Sequence, residues 1–396
     1  MKNTKHKIEL LAPAGDFECL MAAVNAGADA VYLGLENFNM RARARNFKLS
    51  DLPRVSKICK PKKIKLYLTL NIIVYDSELK KVEKIIKKAK KFIDAIICSD
   101  ISVMLLCKKY KIPFHVSTQC SVSNSETAKF YKKLGASRIV LARELNLKQI
   151  KQISKIMPVE VFAHGAMCLS VSGRCLMSQF LFNESANRGR CIHPCRRFYN
   201  IRDNEGNELR IDNNYILSAK DICTLPFIEQ LKKAGISAFK IEGRNKEPEY
   251  VSTVISIYRK SLDKELTKKE IEESLKELSK VYNKGFSSGF YLKLPTSDDF
   301  SKTEDSSSTQ SKQFIGKINH YYPKVEVGLI KLNTGKLKVG DEILIIGKTT
   351  GVLKHKIQSM ESHHKQITEA KKGEEIGIKL PLCRKNDELY KVIKKN

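Results

Sequence analysis

The chain has 396 residues, enough for one large domain and a smaller one, and its 72 Lys and Arg against 43 Asp and Glu give a net charge of +29. No apolar run is long enough to span a bilayer, and the amino-terminal residues lack the apolar core of a secretory signal, so we expect a cytoplasmic protein with no membrane partner. Thiols stay reduced there and eleven cysteines cannot all pair, which excludes a complete disulfide framework. The charge favours a polyanionic partner such as RNA or DNA, with a merely lysine-rich, well-solvated surface as the alternative.

Eight short apolar runs, each followed by a helix-like pattern, occupy the first part of the chain. The runs lie at 8–12, 30–34, 64–71, 95–99, 114–117, 138–142, 159–164 and 238–243. Amphipathic segments such as FECLMAAVNAGA separate them. Alternating strands and helices predict a parallel sheet, and eight units predict a closed (β/α)8 TIM-like barrel. An open doubly wound sheet is the alternative, although LAPAGDF lacks the glycine spacing typical of its first turn.

Polar side chains follow most of these runs, at the end of a barrel where catalytic groups lie. The candidates for a binding or catalytic pocket are Asn71, Gln119, Arg143, Glu144, His164, Glu242 and Arg244. Each one taken alone is compatible with a structural hydrogen-bonding role. Because all of them sit at strand ends, we expect a pocket at this face of the barrel.

An insertion over 165–223, after the seventh run, collects five of the eleven cysteines. They are Cys168, Cys175, Cys191, Cys195 and Cys223. The C-x2-C pairs typical of zinc sites are absent, and irregularly spaced thiolates suit an iron–sulfur cluster, which takes four Cys. Three alternatives stay open: zinc, unrelated core thiols, and a thiol protease with His164 or His193 as its base.

The chain changes character after the barrel. The helical stretch TKKEIEESLKELSKVYNKG completes a domain over 1–293, and residues 294–312, rich in Ser, Asp and Thr, predict a flexible linker. Alternating apolar and polar residues over 313–396 predict a small antiparallel β-barrel. This last segment has sixteen Lys and one Arg against nine Asp and Glu, which suits an RNA-binding module and, almost equally, an ordinary basic surface.

Several motifs resemble those of the collagenase-like peptidases, peptidase family U32, over essentially the whole chain. They include LAPAGD, EVFAHGAMCLSVSGRCLMS, SANRGRCIHPCR, ILSAKDIC and FKIEGRNKEPEYV. Members of this family include prephenate-dependent, oxygen-independent tRNA hydroxylases that make 5-hydroxyuridine at the wobble position. The resemblance is closest to these and implies a [4Fe-4S] cluster. The implied ligands are Cys168, Cys175, Cys191 and Cys223, with Cys195 as a neighbour or alternate ligand.

The resemblance therefore implies a tRNA hydroxylase that takes prephenate as a small dicarboxylate cosubstrate. Arg143 and Arg244 are candidates to bind its carboxylates, since Arg forms bidentate pairs with them. Glu144 and His164 are the candidate catalytic residues, for proton transfer. The other predicted substrate-binding residues are Asn71, Gln119 and Glu242. The alternatives are a ribosomal RNA cytidine hydroxylase, a collagenase-like peptidase and a non-catalytic, cluster-bearing RNA-binding protein.

Overall fold

A computed structural model describes residues 8–199, 202–207, 217–303 and 305–395. The first nine strands are β1 Glu9–Ala14, β2 Ala30–Gly34, β3 Lys65–Leu70, β4 Ala95–Cys98, β5 Phe114–Val116, β6 Arg138–Val140, β7 Val159–Gly165, β8 Asp221–Cys223 and β9 Ala238–Ile241. The strands β1 to β7 pair in parallel in chain order, and β9 pairs in parallel with both β7 and β1. The eight strands close a barrel, so the predicted (β/α)8 fold and all eight predicted strands are confirmed.

Helices connect the strands wherever the sequence alternates between apolar and polar residues at helical spacing. They are α1 Phe17–Asn25, α2 Leu52–Cys59, α3 Asp76–Ala89, α4 Ile101–Lys109, α5 Ser125–Leu134, α6 Leu147–Ser154, α7 Met177–Phe182, α8 Ile228–Lys233, α9 Pro248–Asp263 and α10 Lys268–Lys280. In α3, for example, Val82, Ile86 and Ala89 are buried on one face. None of the described helices has the length and apolar character that crossing a membrane requires.

The insertion after β7 returns to the barrel through a short extra strand. The strand β8 runs antiparallel to β7, with Cys223 opposite His164, and β10 (Phe286–Ser287) pairs in parallel with β8. This pair extends the sheet beside the barrel without entering its closed ring. The insertion is therefore anchored at the carboxyl end of β7, the face at which the polar candidates lie.

The carboxy-terminal strands form two antiparallel sheets, as the alternating pattern predicts. They are β11 Gln310–Tyr322, β12 Val327–Leu332, β13 Lys336–Lys338, β14 Glu342–Gly347, β15 Gly351–Lys356, β16 Met360–Ser362, β17 Lys365–Ile367, β18 Glu369–Lys371, β19 Glu375–Lys379 and β20 Glu388–Lys394. Eight of them pair in the order β15-β14-β20-β11-β12-β19-β16-β17, and β13 pairs with β18. Inward-facing residues of both sheets, among them Ile330, Leu337 and Ile376, share one apolar core.

The segment predicted as a linker, 294–312, makes regular contacts with the barrel domain. The backbone N–H groups of Ser301, Ser307 and Thr309 donate to the carbonyls of Ser218, Asn283 and Ser279 at 2.7–2.9 Å. The strand β11 begins within this segment, at Gln310. Beyond it, the carboxy-terminal domain packs on α1 and α9 through polar contacts such as Lys354 Nζ to Thr253 Oγ1, 3.1 Å.

A buried charge network fills part of the barrel interior. Glu160 on β7 is fully buried, and its carboxylate lies 3.3 Å from Arg138 Nη1 and 3.1 Å from Lys240 Nζ. Arg138 Nη1 also lies 2.6 Å from the carboxylate of Glu9. Because these charges come from β1, β6, β7 and β9, the network joins the strands that close the barrel.

We expect Glu160→Gln to destabilise the protein strongly. The substitution preserves shape but leaves Lys240 and Arg138 buried with less compensating charge, and breaking a buried ion pair costs about 3–5 kcal/mol. The measurement is the free energy of unfolding in urea. Glu126→Gln, which removes a surface ion pair with Lys129, is the control and should cost less than about 1 kcal/mol. Equal losses in the two variants would contradict a stabilising role for the network.

Candidate functional site

A cavity of about 310 Å³ opens at the carboxyl ends of the barrel strands, beneath the cysteine-rich insertion. It brings together most of the residues that the sequence singles out. These are Asn71, Gln119, Arg143, Glu242, Arg244, Cys168, Cys175 and Cys191. A pocket at this face, expected from the strand ends, is therefore present, and it joins the strand-end residues to the cysteines.

The floor of the cavity is a buried carboxylate held by arginine. Arg41 donates from Nε and Nη2 to Glu242 Oε1 at 3.1 and 2.7 Å, and the Tyr32 hydroxyl donates to Oε2 at 3.4 Å. Burial alone would raise the pKa of Glu242, but the charges of Arg41 and Arg143 lower it to about 2. Glu242 is therefore ionised at neutral pH and fixes Arg41 in place.

Arg244 and Asn71 are positioned by neighbouring loops and strands. Arg244 is almost fully buried and donates to Asn39 Oδ1 at 2.7 Å and to Thr69 Oγ1 at 3.2 Å. Burial lowers its pKa to about 10, so Arg244 stays a cation at neutral pH. Asn71 accepts from the backbone of Met40 and donates to Ser117 Oγ at 3.3 Å. Both side chains are thus held at defined positions in the wall.

Several cations of the cavity have no carboxylate partner among the described residues. The Arg143 guanidinium lies 4.4 Å from the centroid of the Phe162 ring, and its Nε is buried without a hydrogen-bond acceptor. Lys246 Nζ lies 3.0 Å from the centroid of Tyr282, and burial lowers its pKa to about 7 despite the nearby Asp221 carboxylate. Arg196 also lines the cavity. Such a wall favours an anionic ligand.

Four thiols share this cavity: Cys168, Cys175, Cys191 and Cys195. Burial and the charges of the other three thiols raise the pKa of the Cys195 thiol to about 11, against the opposing charge of Arg196, so the four thiols lie near one another. The Cys191 sulfur accepts from the backbone N–H of His193 at 3.4 Å and from Ser178 Oγ at 3.7 Å. The described residues thus hold a set of four neighbouring cysteines with donors around it.

Cys223, predicted as the fourth ligand, lies outside the lining of this cavity, and its role as a ligand stays a prediction. It is buried on β8 and does not line the cavity. The Tyr258 hydroxyl lies 3.9 Å from its sulfur, and no charge of another cysteine affects its pKa, which burial raises to about 11. Pairing of β8 with β7 directs this thiol into the packed layer outside the barrel. Cys195, four residues after Cys191 and predicted as the neighbour or alternate ligand, does line the cavity.

Among the described residues, the thiols do not converge on one point, as the ligands of a single zinc ion would. Zinc requires ligands that converge to about 2.3 Å from one point. Within the described parts of the chain, no three His, Cys, Asp or Glu side chains are arranged in that way. A cluster binds each thiolate through a different iron, so its four ligands surround it at a distance from one another. Four cysteines line this one cavity, the number of thiolates that such a cluster takes.

Glu144 and His164, the residues predicted for proton transfer, do not line the cavity. Glu144 is exposed on the surface, and His164 is packed among Tyr250, Tyr258 and Phe286. Burial lowers the pKa of His164 to about 3, so its ring is neutral at physiological pH. His164 points away because β7 carries it on the face that packs against α9.

Sequence reasoning missed several residues of the cavity, namely Arg41, Arg196, Lys240 and Lys246. Lys246 follows Arg244 by two residues in the motif EGRNKEPEY, and Arg41 belongs to NMRARARN after β2, so position after a strand end could have indicated both. Asp221, beside this region, is buried and neither carboxylate oxygen has a hydrogen-bond partner in the described residues. Burial raises the pKa of Asp221.

The insertion is clamped onto the barrel by the motif SANRGRC. Arg188 forms two hydrogen bonds with the Glu78 carboxylate, at 2.7 and 2.5 Å, and a third with the Ile73 carbonyl at 2.6 Å. The Gly189 carbonyl accepts from the Ala42 N–H at 3.0 Å. Cys191 follows two residues later, so these bonds position its sulfur relative to the strand ends.

Comparison with known proteins identifies relatives over nearly the whole chain. A family model described as peptidase family U32 matches residues 15–300, and one described as elongation factor Tu domain 2 matches residues 326–389. An uncharacterized protease of Methanocaldococcus jannaschii is 42% identical and covers 97% of this chain and 98% of its own length. A collagenase of Porphyromonas gingivalis is 39% identical, covering 98% of both chains. The tRNA hydroxylation protein P1 of Bacillus subtilis is 31% identical, covering 89% of this chain and 87% of its own.

We expect Gly189→Ala to loosen the insertion. Gly189 has φ +84°, and a Cβ there would meet the Asn39 carbonyl oxygen at 2.0 Å, so both the strand-end loop and the insertion must shift. We expect a loss of about 3 kcal/mol or more, measured by urea unfolding. Gly206→Ala is the matched control: Gly206 has φ +88° with open space around the Cβ, so only backbone strain of about 1–2 kcal/mol applies. Similar losses in the two variants would refute the close approach at Gly189.

Proposed function

Since the chain belongs to peptidase family U32, we propose that it is an oxygen-independent RNA hydroxylase that makes 5-hydroxyuridine at the wobble position of tRNA, with prephenate as cosubstrate and a [4Fe-4S] cluster. The observation that carries the proposal is the meeting of four thiols and several cations without carboxylate partners in one cavity. A Bacillus subtilis relative named for tRNA hydroxylation supports the choice of RNA. The net charge of +29 agrees with a polyanionic substrate.

The pKa values of Cys195 and His193 favour this function over that of a peptidase. A thiol protease needs a cysteine with a lowered pKa beside a histidine that accepts its proton. Here burial raises the pKa of Cys195 to about 11. Burial and the charges of Arg196 and Arg41 lower the pKa of His193 to about 4, which makes it a poor base. Neither Cys195 nor His193 therefore has the pKa that nucleophilic catalysis requires.

Charged and amide side chains of the cavity would bind different parts of the ligands. Arg143, Arg244 and Lys246 would hold the two carboxylates of the cosubstrate, because guanidinium and ammonium groups donate several hydrogen bonds to them. Asn71 and Gln119 offer amide groups that can recognise the polar edge of a pyrimidine. Lys246, with a pKa of about 7, is able to give or take a proton at Nζ near neutral pH.

The cluster would be held by Cys168, Cys175, Cys191 and Cys195, and when bound it would supply an electron-transfer centre at the cavity wall. Arg196 and the backbone N–H of His193 lie beside these thiols and would offset their negative charge. The insertion, clamped by Arg188, keeps the cysteines over the strand ends. In this proposal the cosubstrate, the base and the redox centre share one cavity.

We expect a strain that lacks the gene to lose 5-hydroxyuridine and the modifications derived from it in tRNA, and to regain them when the gene is supplied. Nucleoside mass spectrometry of purified tRNA and ribosomal RNA measures the outcome, with pseudouridine as the internal control that should not change. Normal tRNA together with a missing hydroxycytidine in ribosomal RNA would move the assignment to that RNA. Unchanged nucleosides, with gelatin cleavage abolished by Cys195→Ser, would favour the peptidase.

We expect Cys195→Ser to lose most of the cluster and Cys223→Ser to keep it. The wild-type protein, purified without oxygen, should contain about four irons per chain. Iron and sulfide content and the visible absorption spectrum measure the cluster, and circular dichroism checks that both variants fold. Retention of iron by Cys195→Ser with loss in Cys223→Ser would restore Cys223 as the ligand. Stoichiometric zinc without iron in the wild-type protein would refute the cluster.

A further inference from the structure

A second cavity, of about 760 Å³, lies between the barrel and the carboxy-terminal domain. Both domains line it: α9, α10 and the following residues on one side, and β14, β15 and the end of β20 on the other. It shares four lining residues with the cavity of the cysteines, namely His193, Arg196, Asn245 and Lys246. The two cavities therefore adjoin at these residues.

The larger cavity is lined by basic side chains that the protein itself does not neutralise. Arg196, Lys246, Lys354, Lys356 and Lys395 have no carboxylate within 4 Å among the described residues. By contrast, three of its four glutamates are engaged by lysines of the same lining: Glu247 and Glu249 by Lys312, and Glu277 by Lys280. The remaining glutamate is Glu342. The net charge that a ligand meets is therefore positive.

The positions of these cations suit an extended anion. Lys354 and Lys356 are two residues apart on β15 and project from the same face of the strand, about 7 Å apart along it. Lys395 follows β20, on the other side of β14, and the Lys246 ammonium lies against the Tyr282 ring at the junction of the cavities. A row of separated charges that ends at the inner cavity fits successive phosphates better than one small molecule.

We propose that this cleft holds the single-stranded RNA on either side of the target nucleotide, while the target base enters the inner cavity past Arg196 and Lys246. The inference rests on the proposed function and assigns the substrate path within it. An enzyme that modifies a base inside a pocket must take that base out of its stack, so the flanking backbone has to cross the mouth of the pocket. Here the mouth opens into a basic cleft that the carboxy-terminal domain completes.

This path gives the carboxy-terminal domain a defined RNA-binding face. Of its sixteen lysines, those that line the cleft, such as Lys356 and Lys395, would contact the RNA. Those at the far end of the sheet, such as Lys365 on β17 and Lys379 on β19, would not. All four of these lysines are exposed. Apart from a hydrogen bond that Lys395 Nζ donates to Ser308 Oγ at 3.2 Å, the main difference between the pairs is position, which makes a matched comparison available within one domain.

The test compares the full-length double variants Lys356→Gln/Lys395→Gln and Lys365→Gln/Lys379→Gln, which change the net charge equally. Binding of a fluorescent tRNA anticodon stem-loop is measured by anisotropy at several salt concentrations. For the cleft variant we expect about tenfold weaker binding at moderate salt. We also expect a plot of log affinity against log salt that is shallower by about 1.5, since two phosphate contacts are lost. The control variant should match the wild type.

Each result decides a different claim. Equal slopes and affinities for the two variants would overturn the cleft as the RNA path while leaving an RNA hydroxylase in place. Loss of binding in the control variant alone would place the RNA on the opposite end of the sheet and refute the inference. Failure of the wild-type protein to bind any stem-loop or ribosomal RNA fragment would instead refute the proposed function, and the cleft assignment with it.

Discussion

The pairing of β9 with both β7 and β1 is the interaction on which the rest of the structure depends. It closes the barrel and brings Glu242, Arg244 and Lys246, which follow β9, beside the residues that follow β2 and β3. The Arg41–Glu242 pair then joins the loop after β2 to the end of β9. Glu160, Arg138 and Lys240 support the same closure from inside. An open sheet would separate these groups and leave their charges unpaired.

The cysteine-rich insertion packs on this closed end of the barrel. Arg188 and Gly189 fasten it to loops of the barrel, so four thiols that are irregularly spaced in sequence face one cavity. The same burial that gathers them raises the pKa of Cys195 and lowers that of His193. In the proposed function these thiols hold a cluster, whereas a peptidase would need a thiolate that is free to react.

The carboxy-terminal domain is more than an appended module. The segment before β11 is hydrogen-bonded to the barrel domain, and β15 packs against α1 and α9. These contacts place β14 and β15 beside the entrance of the inner cavity. In the proposed function the two domains contribute to different binding sites. The barrel binds the small cosubstrate near the thiols, and the cleft between the domains binds the long polyanion.

Local patterns in the sequence determined the elements, and the tertiary structure decided which residues meet. The eight barrel strands and the antiparallel carboxy-terminal strands follow from the spacing of apolar residues, because burial acts on each segment separately. The positions of polar residues at strand ends were enough to predict that they lie close together, namely Asn71, Gln119, Arg143, Glu242 and Arg244. The choice between Cys195 and Cys223 as a ligand does not follow from the sequence, since it depends on how the insertion folds back and on the antiparallel pairing of β8 with β7. The position of Lys246 and the cleft between the domains could not be predicted either, because the sequence does not show which surface a charged residue will face.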